Sequence, residues 1–170
     1  MVKSLIVAVL ALITLGLALL DRTNITSDDA SIVTENTPAK IAPDVTFARL
    51  DGGIIPLHSL AGKKVLLHFW ASWCAPCREE FSTLLTRLAK EDDGTILLAV
   101  SGDAKAEDAN RFLAPYRHNF KGLFDSGRVI VAHDPHHALI EGVFETFKYP
   151  ETIIIGPDLV MQRKIIGVYK

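Results

Sequence analysis

The sequence predicts an α/β fold built on a central mixed sheet, and three observations carry that expectation. Continuous apolar runs of strand length at Lys64–Trp70, Thr95–Ser101 and Arg128–His133 have the character of strands buried on both faces. Between the first two runs, from Ala75 to about Lys90, the apolar spacing turns helical: Phe81, Leu84, Leu85 and Leu88 share a face that Arg78, Glu79 and Arg87 avoid. Near the end, Thr152–Ile155, a turn at Gly156-Pro157-Asp158 and the stretch Leu159–Val168 read as an antiparallel hairpin. Parallel and antiparallel pairings together make the sheet mixed.

The elements follow in order along the 170 residues. Ser4–Leu20 is uncharged and about 17 residues long, close to the lower limit for a bilayer-spanning helix. Lys3 precedes it and Asp21, Asp28 and Asp29 follow, so the positive-inside rule exports everything after residue 20. The run ends in Leu19-Leu20-Asp21-Arg22 without a small-x-small cleavage site, so we expect a membrane anchor over residues 1–20 rather than a signal peptide. Residues 21–40, rich in Ser, Thr, Asn and Asp, have too few apolar side chains to bury themselves and read as a flexible tether.

The globular part is expected over residues 41–170. Val45–Leu50 is a short strand leading into a hairpin signal at Asp51–Gly53. A second helix is expected from Lys105 to about Ala114, ended by Pro115. Asp134 then reads as an N-cap with Pro135 in the first turn of a helix running to about Phe144. A net charge of −2 argues against a nucleic-acid footprint.

The chain has two cysteines, Cys74 and Cys77, placed where a buried strand passes into a helix. Three uses compete. A staple is poor, because residues three apart close only a tiny loop. A structural zinc site needs four ligands, and two cysteines fall short, although His133, His136 and His137 could complete a mixed set. Redox exchange fits the context best. At the helix N-terminus the free N–H groups and the helix dipole lower the pKa of Cys74 and make it the attacking sulfur. Cys77, one turn later on the same face, can reach back to close a disulfide. Glu80 continues that face, where a carboxylate can accept the Cys77 proton or raise its pKa. Trp73, ahead of the nucleophile, is a candidate for shielding it or for meeting a substrate; Trp70 is expected in the core. Far along the chain, Pro150 opens an apolar strand, a position that a cis peptide bond in a tight turn would explain.

The segment "GKKVLLHFWASWCAPCREEF" together with "YPETIII" resembles the membrane-anchored thioredoxin-like proteins of the TlpA/ResA/DsbE (CcmG) group. The resemblance covers about residues 41–168. It implies a thioredoxin-like fold with an N-terminal β-hairpin addition and an insertion after the second helix. By position, Cys74 matches the nucleophile, Cys77 the resolving cysteine, Glu80 the active-site acid and Pro150 the cis-proline facing the disulfide. Trp73, Ala75 and Pro76, with Tyr149 and Pro150, make up the expected substrate surface. The form "PET", with Glu151, looks closest to members that serve cytochrome c maturation. The resemblance further implies a single-pass protein of the bacterial inner membrane with its catalytic domain in the periplasm. Its expected partners are an exported protein carrying a disulfide and a DsbD/CcdA-like membrane electron donor. No cofactor beyond the redox-active Cys74–Cys77 disulfide is expected. Two departures stand out: the family's last helix is missing after the final strand, and Tyr116–Gly127 looks like extra chain, a substrate-selecting loop or drift.

Direction follows from how well the reduced thiolate is stabilised. The strongest oxidants of this fold lie near −120 mV, against about −270 mV for thioredoxin. Ala75 and Pro76 supply no donor or positive charge for a thiolate, and Glu80 works against one. The expected activity is therefore protein-disulfide reduction. A disulfide oxidase or isomerase, a copper-handling module and a redox-inactive adaptor remain as alternatives.

Overall fold

The computed structural model describes residues 34–35, 40–91 and 93–169. The expected anchor and most of the expected tether lie outside these residues. Among the described residues no helix is long and apolar enough to cross a membrane.

A mixed sheet runs in the order β1-β9-β8-β5-β6-β7, with β2 also pairing on β9. Its strands are β1 (Thr34–Glu35), β2 (Lys40–Ile41), β5 (Val65–Trp70), β6 (Ile96–Ser101), β7 (Val129–His133), β8 (Glu151–Ile155) and β9 (Val160–Ile166). β5, β6 and β7 are parallel, while β8 and β9 return antiparallel. The expected hairpin is present as β3 (Thr46–Ala48) and β4 (Ile54–Pro56). A bridge between Arg49 and Ala132 ties it to β7. β1 and β2 reach back into the stretch expected as tether; by pairing with β9 they cover what would be a free sheet edge.

Every residue of β5 is buried, which is why its sequence runs apolar without alternation. Its side chains still divide between two cores. Leu66 and Trp70, with Leu97, Ala99, Val129 and Val131, face α1 (Ala75–Lys90), α2 (Ala106–Asn119) and α3 (Lys121–Asp125). Val65, Leu67 and Phe69, with Leu98, Val100 and Ile130, face Phe47 of the hairpin and Leu57 and Leu60 of a short 3-10 helix (Leu57–Leu60).

Three expectations are corrected. The second helix does not stop at Pro115 but continues to Asn119. Pro115 is exposed, whereas Leu113 is buried and Phe112 and Tyr116 pack on the core, so packing outweighs the proline's missing bond. Tyr116–Gly127 is not a free loop: it holds the end of α2 and α3, with Leu123 in the core and Phe120 and Phe124 against it. The helix expected from Pro135 to about Phe144 is instead a chain of wide turns. Asp134 does act as a cap, but it accepts the N–H groups of Ala138, Leu139 and Ile140. His137, at φ 55°, turns left-handed and breaks the helical path.

Candidate active site

The sequence-level site residues converge at one end of β5. Cys74 caps α1, and its Sγ accepts the Cys77 N–H at 3.3 Å. The two sulfurs are joined in a disulfide. The bend from β5 into α1 is fastened from β6: the Asp103 carboxylate, buried, accepts the Ser72 N–H at 3.1 and 3.0 Å and the Ser72 hydroxyl at 2.7 Å. Ser101 donates to the same carboxylate at 2.7 Å. Sequence reasoning missed Asp103, because only the parallel register of β6 on β5 places "SGD" beside "ASW".

Opposite the disulfide lies the loop before β8, with a cis peptide bond between Tyr149 and Pro150. The Tyr149 ring tilts against Trp73 at 5.8 Å between centroids. Behind Tyr149, Gly102 has to be glycine: a Cβ there would stand 2.2 Å from the Tyr149 hydroxyl. That hydroxyl is buried, which pushes its pKa above the usual phenol value. The loop is held to the sheet by Glu151. Its carboxylate, 2% exposed, accepts the Thr146 hydroxyl and pairs with Lys164 Nζ at 3.1 Å. Lys164 also donates to the carbonyls of Phe144 and Glu145, each at 3.0 Å.

Between these walls runs a groove of about 580 Å³ lined by Trp73, Cys74, Ala75, Pro76, Tyr149, Phe147, Lys148, Thr146, His137 and Glu141. All five expected substrate-surface residues therefore stand at or beside the groove, Pro150 being buried next to Tyr149. Two large apolar side chains are left in solvent here: Trp73 is 67% exposed and Phe147 73%. Exposed apolar surface of this kind marks a place for another molecule. Phe147 was not recognised in the sequence, where nothing distinguishes it from the buried Phe144 three residues before it.

Away from the groove, the other side of the disulfide is dry. Cys77 is fully buried, and Glu80, one turn along α1, is 2% exposed. Its Oε1 accepts the Tyr169 N–H at 2.5 Å, while Oε2 has no hydrogen-bond partner among the described residues. Burial pushes the carboxyl up to about 7, against a smaller downward pull from the Tyr169 N–H. No helix follows β9 among the described residues. Instead the chain turns over α1, packing Tyr169 on the core with the Arg87 guanidinium 5.1 Å above its ring. On β5, with its ring 6.3 Å from that of Phe81, His68 is fully buried with Nδ1 2.9 Å from Thr152 Oγ1, and burial drives its pKa down to about 4, so the ring is neutral.

Two of the three histidines weighed as metal ligands, His133 and His137, are engaged elsewhere. His133 Nε2 bonds the Asp103 carbonyl at 2.7 Å, and His137 bonds Glu141 and Gly102. Among the described residues no group of three metal-ligating side chains converges.

A Cys-x-x-Cys disulfide capping the helix after a central strand, with a cis-proline loop across from it, defines a thiol–disulfide oxidoreductase on a thioredoxin-like fold. The chain belongs to the AhpC/TSA family, whose profile matches residues 38–164. It is similar to the thiol-disulfide oxidoreductase ResA of Bacillus cereus, with 29% identity over 129 residues that span 75% of this chain and 69% of that one. The thioredoxin-like protein YneN of Bacillus subtilis is 32% identical over 130 residues, 74% of this chain and 69% of the relative. Among solved structures, a protein of Chlorobium tepidum described as the thiol:disulfide interchange protein DsbE superposes with a TM-score of 0.60 at 29% identity, covering 77% of this chain and 86% of the other.

Proposed function

We propose that this oxidoreductase is a reductant, held at the outer face of the bacterial inner membrane by residues 1–20, that delivers electrons to disulfides of exported proteins. The observation that carries the reading is the contrast around the disulfide: an open apolar groove at Cys74 and a buried carboxyl beside Cys77. In the reduced enzyme the Cys74 thiolate attacks one sulfur of the substrate disulfide, and the other substrate sulfur leaves as a thiolate that takes up a proton. Cys77 then gives its proton to the Glu80 carboxylate and attacks Cys74 Sγ. The substrate's second thiolate leaves and is protonated, and the enzyme holds the Cys74–Cys77 disulfide. Two electrons have moved to the substrate, and a dithiol donor in the membrane, of the DsbD/CcdA kind, restores the reduced state.

Apocytochrome c during cytochrome c maturation is the substrate we favour. Glu151 in "PET" supports it through the resemblance to members with that role, and the exposed Trp73 and Phe147 beside Cys74 offer apolar contact to a polypeptide. The test is trapping with the Cys77→Ser variant of the full chain in its native host. With the resolving thiol gone, Cys74 is expected to retain a c-type apocytochrome as a mixed disulfide sensitive to dithiothreitol. A well-expressed variant that captures no exported protein contradicts the reading.

A further inference from the structure

The groove contains a titratable group to which the redox steps assign nothing. His137 presents both ring nitrogens to acceptors: Nδ1 lies 2.6 Å from Glu141 Oε1, and Nε2 lies 2.9 Å from the Gly102 carbonyl oxygen. A neutral imidazole carries one N–H, and an ionised carboxylate and a carbonyl offer none. The two bonds coexist only on an imidazolium. The Gly102 carbonyl, and after it Glu141, hold the ring's pKa above the ordinary histidine value, with Asp134 adding attraction and burial opposing.

These contacts join three parts of the groove. Gly102 directly follows β6, Glu141 belongs to the wide turn after β7, and the Tyr149 ring meets the His137 ring edge-on at 6.2 Å. The left-handed backbone at His137 brings its ring over Gly102, whose missing side chain leaves room: a Cβ would lie 3.1 Å from Nε2. Other charged groups around this junction are accounted for. Asp134 caps its own turn, Asp103 is taken up by Ser72 and Ser101, Glu151 is paired with Lys164, and Lys148 lines the groove from the cis-proline loop.

We propose that His137 is a protonation latch on the substrate groove: as an imidazolium it pins the wall that carries Glu141 to the end of β6 and against Tyr149, and loss of its proton frees that wall and weakens capture of the oxidised polypeptide. This rests on the reading above that the groove holds the substrate chain. His137 is a positioning residue here, acting through Tyr149 and the turn rather than on sulfur.

The test uses the full-length protein with insulin as disulfide substrate, from about pH 5.5 to about pH 9, across the histidine range. In the wild type KM is expected to rise with pH as His137 loses its proton, while kcat follows Glu80. His137→Asn keeps a residue that tolerates the left-handed backbone but does not titrate. Its KM is expected to be about tenfold above wild type at low pH, the loss of one charge-assisted bond, and flat with pH. Nitrogen NMR of the ring gives a readout independent of turnover: both nitrogens protonated at neutral pH, and a pKa lowered by Glu141→Gln. A KM profile in His137→Asn that still follows wild type, or a ring that titrates at or below the ordinary histidine value, overturns the latch. A merely structural role would lower kcat and move its pH profile in His137→Asn, which also overturns it. Wild-type protein that reduces neither insulin nor an oxidised apocytochrome c peptide contradicts the groove reading itself, whereas active protein with a pH-independent KM contradicts only the latch.

Discussion

The two sulfurs of one disulfide face different surroundings: Cys74 opens on a groove with Trp73 and Phe147 in solvent, while Cys77 is sealed in a core with Trp70 and Phe81, one turn from the buried Glu80. Around Cys74, the aromatic side chains of Trp73 and Phe147 are exposed. On the inner side, water is excluded and burial pushes titratable groups from their ordinary pKa values, Glu80 beside Cys77 up and His68 behind Phe81 down. The difference separates two tasks. In the proposed cycle, contact with another protein falls on the outer side, where surface can be covered. The proposed proton transfer falls on the inner side, where a carboxyl with its pKa raised to about 7 can both take and return a proton.

Breaking the outer sulfur should have the largest effect. Cys74→Ser is expected to abolish insulin reduction, because no other thiol can attack; residual turnover above background would show that Cys77 reacts directly. On the inner side, Glu80→Gln is expected to lower turnover roughly 100-fold above neutral pH and to remove an inflection near 7 from the kcat profile. The stability of the oxidised protein supplies the sign. A folded pKa raised from 4.5 to about 7 makes Glu80 cost stability as pH rises through that window, so Glu80→Gln should be the more stable protein above neutrality in urea titrations. His68 acts oppositely: with its folded pKa near 4, stability is lost as pH falls below about 6.5.

Lys164→Met tests whether the groove wall depends on the buried pair with Glu151. Removing one partner of such a pair is expected to cost about 3 kcal/mol, read from the denaturation midpoint, together with a rise in KM. A loss under about 1 kcal/mol would mean that the loop is held by other contacts. The smallest effect is expected from Tyr169→Pro, which removes the N–H bonded to Glu80 and should move the kcat inflection upward by less than about one pH unit. A downward shift would place the acid outside the control of this segment.

Much of the fold was legible because its signals are local. The buried run of β5, the apolar face of α1 and the thiol spacing each depend on neighbours within a turn or a strand, and all three stand where expected. Pro150 was legible as an oddity, a proline opening an apolar strand, and the cis bond is found there. The failures depend on distant contacts. Pro115 lies on an exposed helix face whose opposite side is buried, and the helix passes through it. "HDPHH" carries a genuine cap in Asp134, but the interactions of His137 with Gly102 and Glu141 select a left-handed residue that ends any helix. Tyr169 offers only a backbone N–H to Glu80, and a backbone group leaves no mark on sequence.

The most direct test of the account is the reduction potential of the full-length protein, equilibrated with dithiothreitol or glutathione and read from the alkylated fraction of Cys74 and Cys77. With no donor side chain on Ala75 or Pro76 and a buried carboxyl beside the resolving cysteine, a potential closer to about −270 mV than to about −120 mV is expected. A value near −120 mV would make the protein an oxidant and contradict the proposed direction of electron flow.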